Sequence, residues 1–165
     1  MKRRELLTVG LAGFFASACR TVGAVQKPQA ELPPARDFHA DANALEKQPR
    51  LLVVLFSIPD CPYCEQIRRE QLLPLVRDRG LADSLVVREV SIGGARTLVD
   101  FQGAPTTEAA FAREAQAKFS PTVAFFAPTG NQVVPAIVGA RLPDFYGAYL
   151  DDAIHTGIAK IRDRA

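Results

Sequence analysis

The apolar run Leu51-Leu52-Val53-Val54-Leu55-Phe56, followed one short turn later by Cys61-Pro62-Tyr63-Cys64, constrains this chain more than any other stretch. An unbroken apolar run of this length predicts a strand covered on both faces. Pro62 suits the first turn of a helix, where its missing N–H leaves no bond unmade. Strand, turn and helix together place Cys61 at a helix N-terminus. Free backbone N–H groups and the helix dipole favour a thiolate there, and the thiolate is the nucleophile of disulfide exchange. Two cysteines two residues apart can also close a small disulfide and pass it to another protein.

The N-terminus predicts where such chemistry would occur. Met1-Lys2-Arg3-Arg4 precedes a mostly apolar run from Leu6 to Ala18, which at 13 residues is too short to span a bilayer. A basic start, a short apolar stretch and the small residues Ala16-Ser17-Ala18 form an export signal, expected over residues 1–18. Cys19 follows directly, and its setting resembles the lipobox of bacterial lipoproteins, with Ala16 where leucine or valine is usual. That resemblance implies acylation of Cys19. Arg3-Arg4-Glu5-Leu6-Leu7 also resembles a twin-arginine export motif, with Leu6 in place of phenylalanine. The chain has three cysteines. With Cys19 lipidated or removed, Cys61 and Cys64 form a closed pair, and no thiol is left over.

Processing would take away three positive charges and one negative, bringing the formal net charge from +2 to zero. No basic balance points to nucleic acid. Residues 19–49 carry Pro28, Pro33, Pro34 and Pro49 with little periodicity, and read as a tether with a possible short helix near 40–47. His39 in that stretch reads as solvated. A single domain is expected over residues 50–165.

Within that domain the first helix is expected to reach about Arg77, interrupted near Pro74, with Ile67, Leu72, Leu75 and Val76 available to the core. Leu85–Ile92 reads as a second strand. Residues 93–105 look irregular, and Thr106 or Thr107 is placed to cap a helix from Glu108 to Lys118. Val123–Ala127 and Val133–Val138 flank Pro128-Thr129-Gly130-Asn131 as a hairpin. A last helix from Asp144 to about Asp163 would bury Phe145, Tyr149, Ala153 and Ile161. His155 in that helix reads as structural.

The order strand, helix, strand, helix, hairpin, helix, with a dithiol at the first helix start, resembles the thioredoxin superfamily. Cys61-Pro62-Tyr63-Cys64 is similar to the glutaredoxin form of its motif. Ser120-Pro121-Thr122, just before a strand, is similar to its cis-proline loop. The resemblance implies an α/β thioredoxin-like fold, a central mixed sheet flanked by helices. It implies that Cys61 attacks a partner disulfide and that Cys64 resolves the mixed disulfide. Pro62, Tyr63, Ser120 and Pro121 would contact the partner, the Ser120 backbone pairing with it as a short strand. Two departures stand out. Thioredoxins carry a buried acid six positions before the first cysteine, where this chain has Leu55, and nothing after Val138-Gly139-Ala140 matches the glutathione site of glutaredoxins. Asp60 and Glu65 are neighbours that could adjust the thiols, Asp60 by like-charge repulsion. The separation between Cys64 and Pro121, and Pro143-Asp144-Phe145-Tyr146-Gly147-Ala148-Tyr149-Leu150, are similar to exported thioredoxin-like proteins associated with sulfur oxidation.

These readings predict a monomeric, periplasmic thiol–disulfide oxidoreductase acting on protein disulfides, with no metal and no cofactor beyond the Cys61–Cys64 disulfide. Exported compartments are oxidising, so a reductase needs electrons from a membrane donor, in the resembling families of the DsbD type. A lipid anchor at Cys19 would keep it beside that donor, which favours reduction over oxidation. A periplasmic dithiol oxidase and a non-enzymatic Cu(I) chaperone using the same two sulfurs are the alternatives. Zinc is disfavoured, because a structural site takes four ligands and the only histidines are the distant His39 and His155.

Overall fold

A computed structural model describes residues 31–43, 50–140 and 143–163. The expected signal segment, Cys19 and residues 20–30 and 44–49 of the tether lie outside them. Strand β1 (Leu51–Ser57) is buried along its whole length, as its apolar run requires, and forms the centre of a four-stranded sheet. The sheet order is β2-β1-β5-β6, with β2 at Leu85–Ser91, β5 at Thr122–Phe126 and β6 at Gln132–Val138. β1 and β2 run parallel, which demands a crossover, and β5 and β6 are antiparallel to their neighbours. The sheet is therefore mixed, with helices on both faces.

The crossover is α2 (Pro62–Ile67), a π-helical turn (Arg68–Leu72) and α3 (Leu73–Arg77). The chain reaches Arg77 as expected, but the interruption precedes Pro74. Leu73 donates its N–H to the Arg68 carbonyl, closing a five-residue turn, and Pro74 then opens the next helix. That turn carries the apolar face from Ile67 to Leu72 and Leu73. Val76, expected inside, is exposed.

Alternate residues of β1 feed two cores. Leu51, Val53 and Leu55 meet Ile67, Leu72 and Leu73 of the crossover and Tyr146, Leu150 and Ile154 of the last helix, α5 (Pro143–Arg162). Leu52, Val54 and Phe56 meet Phe111 and Ala112 of α4 (Glu108–Glu114) and Phe38 of α1 (Phe38–Asn43). Phe38 stacks on Phe101 and Phe111, with ring centroids 4.9 and 4.6 Å apart. In α5 the buried face is Tyr146, Leu150, Ile154 and Ile161, whereas Phe145 and Tyr149 point outward. The sequence pattern assigned those two aromatics to the core because Phe145, Tyr146, Ala148, Tyr149 and Leu150 crowd apolar residues onto several sides of the first turns.

Residues 93–105, expected to be irregular, hold β3 (Thr97–Val99) and the start of β4 (Pro105–Thr107), which pair as an antiparallel hairpin. Thr107 caps α4 through a hydrogen bond to its Oγ1 from the Ala110 N–H at 3.2 Å, and the helix stops at Glu114 rather than Lys118. The lead-in differs most. Residues 31–43, expected within a tether, belong to the domain. The Ala35 N–H donates to the Glu89 carbonyl at 2.8 Å and the Glu89 N–H to the Pro33 carbonyl at 3.0 Å, so this strap covers the open edge of β2. Leu32, Ala35 and Phe38 are buried beneath it. Proline-rich composition hid the strap, since the backbone bonds that hold it, from Pro33 and Ala35 to Glu89 and from Arg36 to Val99, join residues far apart in sequence. His39 is exposed, as read, though its Nδ1 lies 3.1 Å from the Phe101 carbonyl.

Candidate active site

The β1–α2 turn delivers the first sulfur. Asp60 has φ 54°, a left-handed conformation that Asp tolerates better than most residues, and it turns the chain into α2. Cys61 is the N-cap residue: its Sγ accepts the Cys64 N–H at 3.1 Å, and Pro62 occupies the first turn. That contact aims a free N–H of the helix start at the sulfur, the arrangement that favours a thiolate. Cys61 and Cys64 are disulfide-bonded, with Cα atoms 5.2 Å apart.

The two sulfurs sit in different surroundings. Cys64 is fully buried, whereas Cys61 is partly exposed and borders a cleft of ≈ 450 Å³ lined by Ile58, Pro59, Asp60, Pro62, Glu65 and Arg68. On the other side the Ser120–Pro121 peptide bond is cis. Ser120 Oγ lies 2.9 Å from Cys64 Sγ and 3.9 Å from Cys61 Sγ, touching both ends of the disulfide. The Gly139 N–H donates to the Pro121 carbonyl at 2.7 Å, fastening this loop to the end of β6. Gly139 has φ 77°, a backbone conformation open to glycine at no steric cost.

The structure thus brings together Cys61, Pro62, Tyr63, Cys64, Ser120 and Pro121. His155 lies elsewhere, exposed on α5 with Asp151 3.4 Å away. Leu55 is fully buried and carries no charge to the dithiol. Its registry partner on β2 is charged: Glu89 pairs with Leu55 across the strands and shares the crossover-facing side with Leu85 and Val87. Glu89 accepts from Ser57 Oγ at 2.6 Å and from Arg68 Nε at 3.0 Å. These polar residues and Phe119 escaped the sequence reading. An acid at an inward position of a valine-rich strand was the available signal for Glu89. Phe119, beside Ser120, is 68% exposed.

Four of the seven large exposed apolar residues among the described ones, Ile58, Tyr63, Phe119 and Val138, lie on the segments around the dithiol. A further carboxylate, Glu108, is buried under an adjoining cleft. Ser91 donates its N–H to it at 3.3 Å, and a Cβ at Gly94 would lie 2.2 Å from its Oε2, so that glycine makes its room.

A mixed sheet with helices on both faces, a disulfide at a helix start and a cis-proline loop against it define a thioredoxin-fold redox protein. The thioredoxin-like domain family matches residues 38–154, and the chain belongs to it. It is a thiol–disulfide oxidoreductase. Similar solved structures include mitochondrial thioredoxin 3 of Saccharomyces cerevisiae (17% identity, 75% of this chain and 93% of that one, TM-score 0.49). A Malassezia sympodialis thioredoxin is 18% identical over 78% of this chain and 96% of its own, with TM-score 0.49. The periplasmic thioredoxin SoxS of Paracoccus pantotrophus is 18% identical over 65% of this chain and 98% of its own, with TM-score 0.44. No curated protein matches the chain by sequence.

Proposed function

We propose that the protein is an exported reductase of protein disulfides, recharged by a membrane thiol donor of the DsbD type and held at the membrane through lipidated Cys19. The observation that carries this reading is the asymmetry of the disulfide, with Cys61 bordering an open cleft and Cys64 buried under Ser120. In the reduced protein the Cys61 thiolate attacks one sulfur of a partner disulfide, and the other partner sulfur leaves as a thiolate that takes a proton. Cys64 then loses its proton and attacks Cys61 Sγ. The partner's second thiol departs and the Cys61–Cys64 disulfide forms, so two electrons have passed to the partner. The donor returns them, and no further cofactor is used.

Pro62, Tyr63, Ser120 and Pro121 form the contact surface. The exposed apolar ring of Ile58, Tyr63, Phe119 and Val138 favours a protein partner over a small thiol. Export rests on the signal-like residues 1–18; none of the described helices is long and apolar enough to cross a membrane. The test is insulin reduction together with the equilibrium reduction potential. Turnover with a potential near about −270 mV supports the reductase, and one near about −120 mV makes the protein an oxidase. Stoichiometric Cu(I) binding without turnover would replace both with a metal carrier.

A further inference from the structure

A charged cluster lies against the dithiol and takes no part in the exchange steps. Arg68 follows Cys64 by four residues, so the two share one side of the helical run. Its Nε and Nη2 reach the two carboxylate oxygens of Glu89 at 3.0 and 2.5 Å, and its Nη1 bonds Glu65. The Arg68 and Glu89 side chains are only 15% and 16% exposed. Two clefts meet at this pair. One borders Cys61, Asp60 and Glu65; the other, of ≈ 380 Å³, borders Glu89 and Ser57. Arg68 is the charged residue common to both.

A cation beside a thiolate stabilises it, and a stabilised reduced form makes the disulfide of the couple a stronger oxidant. A guanidinium gripped as a fork by a carboxylate has its charge matched and its donors occupied. The Glu89 hydrogen bond is the largest influence holding the Arg68 guanidinium protonated, ahead of opposing burial and of Glu65. The other charges on this side, Asp60 and Glu65, are negative, so Arg68 is the cleft's one source of positive charge among the described residues.

We propose that Glu89, seated by the Ser57 hydroxyl, is a positioning residue that withholds Arg68 from the two sulfurs and so keeps the dithiol a reductant. The inference rests on the oxidoreductase reading and accounts for its direction of electron flow.

The experiment equilibrates the full chain with glutathione, where protein disulfide plus two glutathione thiols gives protein dithiol plus one glutathione disulfide. Glu89→Gln keeps the size and releases Arg68 from the carboxylate fork, leaving its contact with Glu65. At an effective dielectric near 20 this should shift the equilibrium about tenfold toward the dithiol, equal to about 30 mV. The ultraviolet thiolate absorbance of Cys61 should then develop at lower pH. Arg68→Gln combined with Glu89→Gln returns the equilibrium to the wild-type value, and Ser57→Ala, which loosens only the seat, moves it the same way by about two- to threefold. An unchanged equilibrium in folded Glu89→Gln, or a shift that persists in the double variant, overturns the proposal. If Glu89→Gln fails to fold by circular dichroism, Ser57→Ala decides, and an unmoved constant there sinks it. Wild type without insulin turnover would instead remove the reductase reading, while the glutathione equilibrium still reports on Glu89.

Discussion

The two walls of the dithiol are built on opposite principles. The wall of Ser120, Pro121, Phe119 and Val138 is uncharged, and Phe119 and Val138 are more than half and half exposed, at 68% and 50%. The wall of Asp60, Glu65, Arg68 and Glu89 is charged, and its ion pairs are largely drawn inward. Apolar surface left in water contributes most when a partner covers it, because the gain scales with the area removed from solvent. Ion pairs held inside a wall gain little from a partner, but they set the field around a sulfur. One wall is therefore suited to docking and the other to tuning the couple. The sulfurs meet these walls unequally: Ser120 Oγ lies closer to Cys64 Sγ than to Cys61 Sγ, and Cys61 borders the charged cleft.

The most drastic way to probe that contrast is to remove one sulfur at a time. Cys61→Ser should abolish insulin reduction, whereas Cys64→Ser should complete the first attack and accumulate a mixed disulfide visible on a non-reducing gel. Trapping by Cys61→Ser instead would reverse the assignment of walls to sulfurs. The charged wall leans on the strap, which Phe38 anchors. Phe38→Ala should cost about 3–5 kcal/mol in denaturant unfolding and speed hydrogen exchange at the Glu89 amide. A loss under 1 kcal/mol would mean that the strap does not support the domain.

On the docking wall, Tyr63→Ala with Phe119→Ala should raise KM for a protein disulfide by about tenfold and leave a small-molecule disulfide unaffected. Equal effects on both substrates would argue against docking. Ser120→Ala removes the pairing at Cys64 Sγ, worth about 1 kcal/mol, so resolution of the mixed disulfide in single-turnover experiments should change by about fivefold. Tyr146 belongs to neither wall and serves as the control. Burial raises its pKa above the ordinary value of about 10, so the folded state keeps a proton that the unfolded chain loses. The stability from this difference is whole below about pH 10 and declines as pH rises beyond it. Tyr146→Phe should flatten that decline and stay within about 1 kcal/mol of wild type at neutral pH, since the buried hydroxyl has no hydrogen-bond partner among the described residues. A wild type whose alkaline decline matches that of the variant would show the hydroxyl to be unimportant.

Much of this architecture is written locally. The apolar run Leu51–Phe56 of β1, Pro62 at the helix start, Thr107 as a cap and the turn of residues 128–131 each act through neighbours in sequence, and each produced the expected element. The strap was hidden because its pairings reach partners far along the chain, Pro33 with Glu89 and Arg36 with Val99, and the β3–β4 hairpin because each of its strands is only three residues long. Phe145 and Tyr149 were misplaced because α5 is apolar on more than one side, and packing against the sheet selected Tyr146 and Leu150.

The site divides in the same way. By itself the sequence determined the dithiol and its place at a helix start, since residue type and spacing suffice for those, and the family resemblance supplied the proline loop that meets it. Only the tertiary structure decided which sulfur is covered, that the Ser120–Pro121 bond is cis, and that the acid missing at Leu55 has a counterpart at Glu89 on the neighbouring strand. Strand register and helix packing make those choices, because they bring together side chains that no local pattern connects.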